Sequence, residues 1–546
     1  MGIIPPTMPL TVTVAPCRPI CGAAFLLLSV IGCGHGGPIR ATLKNGVERP
    51  QPAVILFIAD GLGADMLERG CAEGWLPNIQ RRFVQAGLRV ENAMTAVPAI
   101  TYPSIVTLLT GASPARHEIV GNRWFDPRDF RFRNSLTINT YRAVNRDFES
   151  PTVYERLAPA PTAGIQCPIR RGVTKNFANW AASGVMWFFR DYTAVDKLTV
   201  DSLPRVVLWA NSLSRWPSLL TVYFPGLDTV GHVHGPESEK YRWAAWHVDH
   251  QVGRVCDWLE SQDLLKSSYI VLTSDHGQVE IRSDGRVDLM ALLRDAGRSP
   301  TDRQIQDGKL EDRRRHFNAF DTVACWRDGR FGIVHFKGAG GWSDPPTFAE
   351  VEAVAARFCQ GSQRGAAAAP HGIQLVAYLR SQCEAGLIGP DGAARIIERE
   401  TTAGVEYAYA PQPADVFGYL ATPELAGFVA AGFHSSRDWL GATCRAAIPD
   451  VVPHLIPLLR CRRAGQMLVI CADGYSLSGE RGGHGGLLRR EMRVPLLIAG
   501  PGIAPGSSLE MSRAVDLTPT LLTLLGRQAA IGDDLEGRAL PLRSAD

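Results

Sequence analysis

The sequence predicts an α/β protein, a doubly wound and mostly parallel sheet flanked by helices, with an inserted cap region. Three observations carry that expectation. Several runs are apolar at every position instead of alternating, which suits strands covered on both faces. Segments with apolar residues three and four apart fall between them, as in helices that lie on a sheet. Asp, His and Thr residues stand just beyond the apolar runs, where doubly wound sheets collect ligands.

The strands begin at Ala53–Ile58, closed by Asp60-Gly61. Leu219–Phe224 precedes Asp228, Ser268–Thr273 precedes Asp275, and Met467–Cys471 and Val494–Ile498 bracket His484. Among the helices, Ser238–Glu260 follows Gly235-Pro236, and Tyr102–Leu109 opens at Thr101 and stops at Gly111. The closing run Asp516–Gly526 reads as a capped helix ended by glycine. The rhythm weakens between residues 281 and 465, where Gly332–Phe336 is a short strand candidate. The division expected is therefore a signal over 1–33, a linker over 34–52, catalytic core over 53–280, an insertion or cap mixed with core elements over 281–465, and the last of the core over 466–546.

Composition bounds the function. The chain has 546 residues, 45% hydrophobic and 20% charged, which is a globular body with a full-sized core. A net charge of +3 with no long basic run gives no case for bulk nucleic acid as a partner. Residues 23–31 are apolar, with Gly32-Cys33 behind and only Arg18 as upstream charge, which matches the core of a secretory signal and is too short to span a bilayer. Val30-Ile31-Gly32-Cys33 resembles a bacterial lipobox, and an ordinary cleaved signal is the alternative. Either predicts export, to the periplasm or to a membrane surface held only through a lipid on Cys33. Nine further cysteines could then pair, with at least one left over.

Five segments hold the chemistry. They are Ile58-Ala59-Asp60-Gly61, Ile100-Thr101-Tyr102-Pro103, Asp228-Thr229-Val230-Gly231-His232, Thr273-Ser274-Asp275-His276-Gly277 and Gly482-Gly483-His484-Gly485-Gly486. Three carboxylates, three imidazoles and one hydroxyl are enough for a two-metal site with its own nucleophile. Each segment also has a plain reading. Asp60-Gly61 is a turn pair, as is Asp473-Gly474 further on. Thr101 is a helix cap, although the start of a helix also favours an alkoxide and an incoming phosphate. Asp228 and His232 stand four apart in what reads as a glycine-containing loop, a spacing that lets both reach one metal, with His234 two positions later.

The ordered set resembles the alkaline phosphatase superfamily and, within it, the type I phosphodiesterase / nucleotide pyrophosphatase branch. The likeness covers residues 54–66, 95–126, 221–236, 269–278 and 481–503. It implies that Thr101 is the nucleophile and that Asn122, in Gly121-Asn122-Arg123-Trp124, binds a phosphoryl oxygen. It further implies one zinc held by Asp60, Thr101, Asp275 and His276 and another by Asp228, His232 and His484, with manganese as an alternative metal. The implied reaction is hydrolysis of a phosphodiester or pyrophosphate through a phosphothreonine, on a small phosphorylated substrate such as a nucleotide. Ser104 replaces a usual Asn and Glu118 a usual Gly, the latter in a turn.

Rival readings share parts of the pattern. A sulfatase needs a Cys or Ser oxidised to an aldehyde and an Arg where Ile105 stands. A cofactor-independent phosphoglycerate mutase resembles the Gly483–Leu496 stretch but uses Ser and works in the cytoplasm. A phosphomonoesterase or phosphonate hydrolase shares the metal frame. An inactive surface binding protein would typically have lost one of the seven positions, and all seven are present.

Overall fold

In the computed structural model the described residues are 36–136, 142–178, 183–184, 186, 190–360 and 369–542; the expected signal and the lipobox lie outside them. Residues 38–546 form one unit. Its centre is a nine-stranded sheet whose path runs Arg493–Val494, Leu88–Met94, Leu496–Ala499, Ser268–Thr273, Ala53–Ala59, Leu219–Phe224, Thr162–Ile165, Lys175–Phe177, with Ser507–Arg513 added beside Leu88–Met94. The Ala53–Ala59 strand is parallel to both neighbours, pairing Ile58 with Tyr223 on one side and with Thr273 on the other. Every residue of Ala53–Ala59 and of Leu219–Phe224 is buried, so the uninterrupted apolar runs reflect helices packed on both faces. This common register brings the chain out at one edge just before Asp60, Pro225 and Ser274. Beyond Ser268–Thr273 the sheet turns antiparallel, through Leu496–Ala499 and then Leu88–Met94.

A second nine-stranded sheet is drawn from residues 300–471. It is built mainly of antiparallel hairpins, and the Gly332–Phe336 candidate is realised in it as Phe331–Phe336. Met467–Cys471 is a strand as expected, but it sits in this second sheet, antiparallel between Phe331–Phe336 and Ile373–Ser381. An apolar run buried on both faces reads alike in either sheet, and only its partners tell the two apart.

The expected helices are present. Glu239–Ser261 is capped by the Ser238 hydroxyl, which accepts from the Tyr241 N–H at 3.2 Å. Leu517–Leu524 ends before Gly526, whose φ is +65°. One local reading is corrected: Asp228 and His232 stand in a helix, Gly226–His234, and not in a loop. The buried Asp196 carboxylate accepts the Gly226 N–H at 2.9 Å and holds the helix start, while a side chain on Gly231 would meet Gln278 Oε1 at 1.8 Å. Tertiary contacts therefore decide where the glycines fall. Among the described residues no helix is long and apolar enough to cross a membrane, and all nine cysteines are free thiols, eight of them fully or partly buried.

Candidate functional site

The Asp, His and Thr residues singled out above converge at the strand ends. Thr101 is the first residue of the Thr101–Thr110 helix, one position after the cap at Ile100, and so is not itself the cap. Its hydroxyl lies 3.3 Å from His276 Nε2. The same nitrogen is 3.5 Å from Asp60 Oδ1 and 3.5 Å from Asp275 Oδ2. Across the stacked rings of His276 and His484, with centroids 3.6 Å apart, lies a second cluster. There His484 Nε2 is 3.1 Å from His232 Nε2, which is 3.3 Å from Asp228 Oδ2. The helix explains that last distance, because positions four apart share a face. Asn122 is buried, and its Oδ1 accepts the Tyr102 N–H at 3.0 Å, which fixes its amide beside the helix start.

The donor set suits divalent cations. His232, His276 and His484 each place Nδ1 on a backbone carbonyl, of Gly482 at 2.9 Å, Gly277 at 3.2 Å and Ala99 at 3.0 Å. A carbonyl only accepts, so Nδ1 carries the proton in each, and the Nε2 lone pairs of His276 and His484 face the cluster. Asp60 Oδ1 and Asp275 Oδ2 are buried with no hydrogen-bond donor among the described residues. Two groups, Asp60/Asp275/His276 and Asp228/His276/His484, each have ligand atoms within 4.8 Å of one another. His276 belongs to both, and His232 adjoins the second through His484 and Asp228.

The electrostatics agree. Burial, then the charges of Asp275 and Asp228, push the Asp60 carboxyl well above its usual range. Burial raises Asp275 to about 6. Burial also lowers His276 to about 4, and burial with His276 lowers His484 to about 3, which keeps both rings neutral. Against burial, His232 holds Asp228 below the carboxylate range, and Asp228 raises His232 in return. Buried carboxylates that repel one another and neutral rings with inward lone pairs form a pocket of negative potential that a cation relieves.

Sequence reasoning missed the supports. Tyr223 donates its hydroxyl to Asp60 Oδ2, and Gln278 donates to the Asp228 carbonyl at 2.9 Å. Glu480 Oε2 lies 2.8 Å from His232 Nδ1. The second sheet contributes the turn Asp328-Gly329-Arg330, which touches both sides of the site. Asp328 Oδ2 accepts the Arg123 N–H, next to Asn122, at 2.9 Å, and the Arg330 N–H donates to the His484 carbonyl at 2.9 Å. The Arg330 guanidinium is wholly buried against Glu491, whose Oε1 accepts the Gly486 N–H at 2.7 Å. Gln278, directly after the Asp275-His276-Gly277 turn, was open to notice, as were Tyr223, Glu480 and Glu491 near Asp228 and His484 in sequence; Asp328 and Arg330 are linked to the site only through space. His234 joins neither cluster, and Asp473 pairs with Arg490 at 2.8 Å near the surface. Glu118 adopts φ +56°, the left-handed turn that glycine usually fills, with its carboxylate 2.8 Å from Arg462.

Residues 54–340 match the family described as type I phosphodiesterase / nucleotide pyrophosphatase. An uncharacterized pyrophosphatase/phosphodiesterase of Schizosaccharomyces pombe is 28% identical over 251 residues, 46% of this chain and 49% of that protein. Ectonucleotide pyrophosphatase/phosphodiesterase family member 1 of Rattus norvegicus is 29% identical over 237 residues, 42% of this chain and 24% of its own length. Bis(5'-adenosyl)-triphosphatase ENPP4 of Bos taurus is 24% identical over 255 residues, 46% of this chain and 52% of that protein. The chain thus matches about half or less of the length of these relatives. Among solved structures, murine ectonucleotide pyrophosphatase/phosphodiesterase 5 shares the fold, with a TM-score of 0.53, 15% identity, and coverage of 90% of this chain and 97% of that one.

Proposed function

The chain belongs to the type I phosphodiesterase / nucleotide pyrophosphatase family, and from that premise we propose that it hydrolyses phosphodiester or pyrophosphate bonds at a two-metal site, with Thr101 as nucleophile. The observation that carries the reading is the Thr101 hydroxyl, at the first position of its helix and 3.3 Å from Nε2 of His276, the residue common to the two Asp/His groups.

In this reading Asp60, Thr101, Asp275 and His276 hold one divalent cation and Asp228, His232 and His484 the other, zinc being favoured by the mixed oxygen and nitrogen donors, with manganese the alternative. Such cations lower the pKa of a bound hydroxyl and offset charge on the phosphoryl oxygens. Thr101 Oγ1 loses its proton to solvent and attacks phosphorus in line. The bond from phosphorus to the leaving oxygen breaks as the bond to Oγ1 forms, leaving a phosphothreonine. Asn122, its Oδ1 committed to the Tyr102 N–H, turns Nδ2 toward a non-bridging oxygen. The helix that begins at Thr101 directs its dipole at the same charge. Water then attacks phosphorus from the side the leaving group vacated and releases Thr101.

A nucleotide or dinucleoside polyphosphate is the substrate class we favour, a choice supported by the name of the ENPP4 relative. The purified protein should hold two equivalents of divalent metal and turn over bis(p-nitrophenyl) phosphate faster than p-nitrophenyl phosphate. Thr101→Ala should abolish turnover and keep part of the metal. Full activity in that variant removes Thr101 as nucleophile; a monoester preference moves the protein to the phosphatase side; and absence of both metal and turnover makes it a binding protein.

A further inference from the structure

A cavity lies away from the Asp/His clusters, where the loop after the Arg123–Asp126 strand meets the second sheet. Its volume is about 610 Å³, within the range of sites that enclose small ligands. Its walls are apolar, with Phe336, Trp342, Phe348, Leu379 and Leu459 among them, and among the described residues no carboxylate lines it. Its charged lining is Arg128, Arg460 and Arg462.

Each guanidinium is partly engaged from behind. Arg462 uses Nε and Nη2 on Asp126 and Glu118, Arg460 uses Nε and Nη2 on the Gln382 carbonyl and Glu398, and Arg128 has only Asp126 near Nε, at 3.5 Å. Among the described residues, Nη1 of Arg460 and of Arg462 and both Nη groups of Arg128 donate to no protein atom. His335 is 1% exposed and lines the cavity; neither ring nitrogen makes a well-formed hydrogen bond, the Arg463 backbone being the polar group that influences it. A buried imidazole whose nitrogens are at best partly satisfied is costly to keep, and a phenyl ring of like shape would fill the space more favourably. Burial holds it neutral, lowered to about 4, so it offers one donor and one acceptor.

We propose that this cavity is a second binding site, for a small amphipathic anion: a carboxylate, sulfonate or phosphate ester with an aryl or alkyl body that carries one hydrogen-bonding atom. The anionic group meets the arginine amino groups at the rim, where the Arg128 side chain is 68% exposed. The body lies between the aromatic walls, and its polar atom reaches His335. The assignment does not depend on the catalytic reading, because no residue of the Asp/His clusters lines the cavity.

The probe is 8-anilinonaphthalene-1-sulfonate, which joins an anionic group, aromatic rings and one N–H, titrated into the full metal-loaded protein and followed by fluorescence. The expected result is one saturable site, displaced by octanoate. His335→Phe and Arg128→Glu should each weaken it about tenfold, the worth of one hydrogen bond to a charged or buried partner. Both variants should hydrolyse bis(p-nitrophenyl) phosphate as the parent does, and His335→Phe should melt no lower than the parent. Absence of saturable binding, or unchanged affinity in both variants, overturns the proposal. If His335→Phe melts lower, the ring nitrogens serve the fold and the proposal loses His335; Arg128→Glu, at the surface, then decides the rest.

Discussion

Replacing Gly329 by Ala adds one methyl group and tests whether the second sheet sets the position of His484. Gly329 has φ +81°, and a Cβ built there meets the His484 carbonyl oxygen at 2.7 Å. A carbon and a carbonyl oxygen sit comfortably at about 3.3 Å, so His484 must retreat by roughly 0.6 Å or the turn must open. That carbonyl is also the acceptor of the Arg330 N–H, so neither movement is free. The left-handed backbone alone costs an alanine about 1–2 kcal/mol. A displacement of about 1 Å at a reacting group costs on the order of a hundredfold in rate, so kcat should fall roughly ten- to a hundredfold. Gly297→Ala is the control, since Gly297 has φ +78° with no heavy atom near its added Cβ. Both variants should lose stability to the left-handed backbone, Gly329→Ala the more of the two because of its clash, and only Gly329→Ala should lose turnover and bind metal more weakly. Parental kcat in Gly329→Ala, or an equal loss in Gly297→Ala, refutes the argument.

Three other outcomes follow from the same geometry. Glu491→Gln leaves the wholly buried Arg330 guanidinium without its counter-charge and should cost about 3–5 kcal/mol in chemical denaturation; an unchanged midpoint would mean that the pair is dispensable. Tyr223→Phe removes the hydroxyl that donates to Asp60 and should weaken one of two metal equivalents about 10- to 100-fold, a change read by metal titration, with two unchanged equivalents as the contrary result. Against burial, which pushes it up, Arg513 and His454 hold the Asp450 carboxyl down at about 2. A depressed carboxylate stabilises the fold above its unfolded pKa and loses that contribution as pH falls through the folded one. About 2 kcal/mol should therefore disappear between pH 4 and pH 2, and Asp450→Asn should show a correspondingly shallower acid dependence; parallel curves would contradict it.

What the sequence by itself determined was local. The runs at Ala53, Leu219 and Ser268 are predominantly apolar, without polar alternation, because both faces of those strands are covered, and that pattern needs no knowledge of partners. The positions of Asp60 and Asp275 just past strand ends follow from the same reading, as does the Thr101 helix with its glycine stop. Other features depended on what the chain meets in space. Asp228 and His232 lie in a glycine-containing stretch that reads as a loop, and become helical because Asp196 holds the helix start and Gln278 needs the room at Gly231. Met467–Cys471 has the composition of a parallel core strand, yet its backbone donors and acceptors are taken by two antiparallel neighbours in the second sheet. Asp328-Gly329-Arg330 looks like any other turn; more than 150 residues separate it from His484, and its hold on that loop is a matter of tertiary distance alone. Side-chain periodicity encodes which face is buried, but the hydrogen-bond and ion-pair partners that aim the site are chosen only when distant segments pack together.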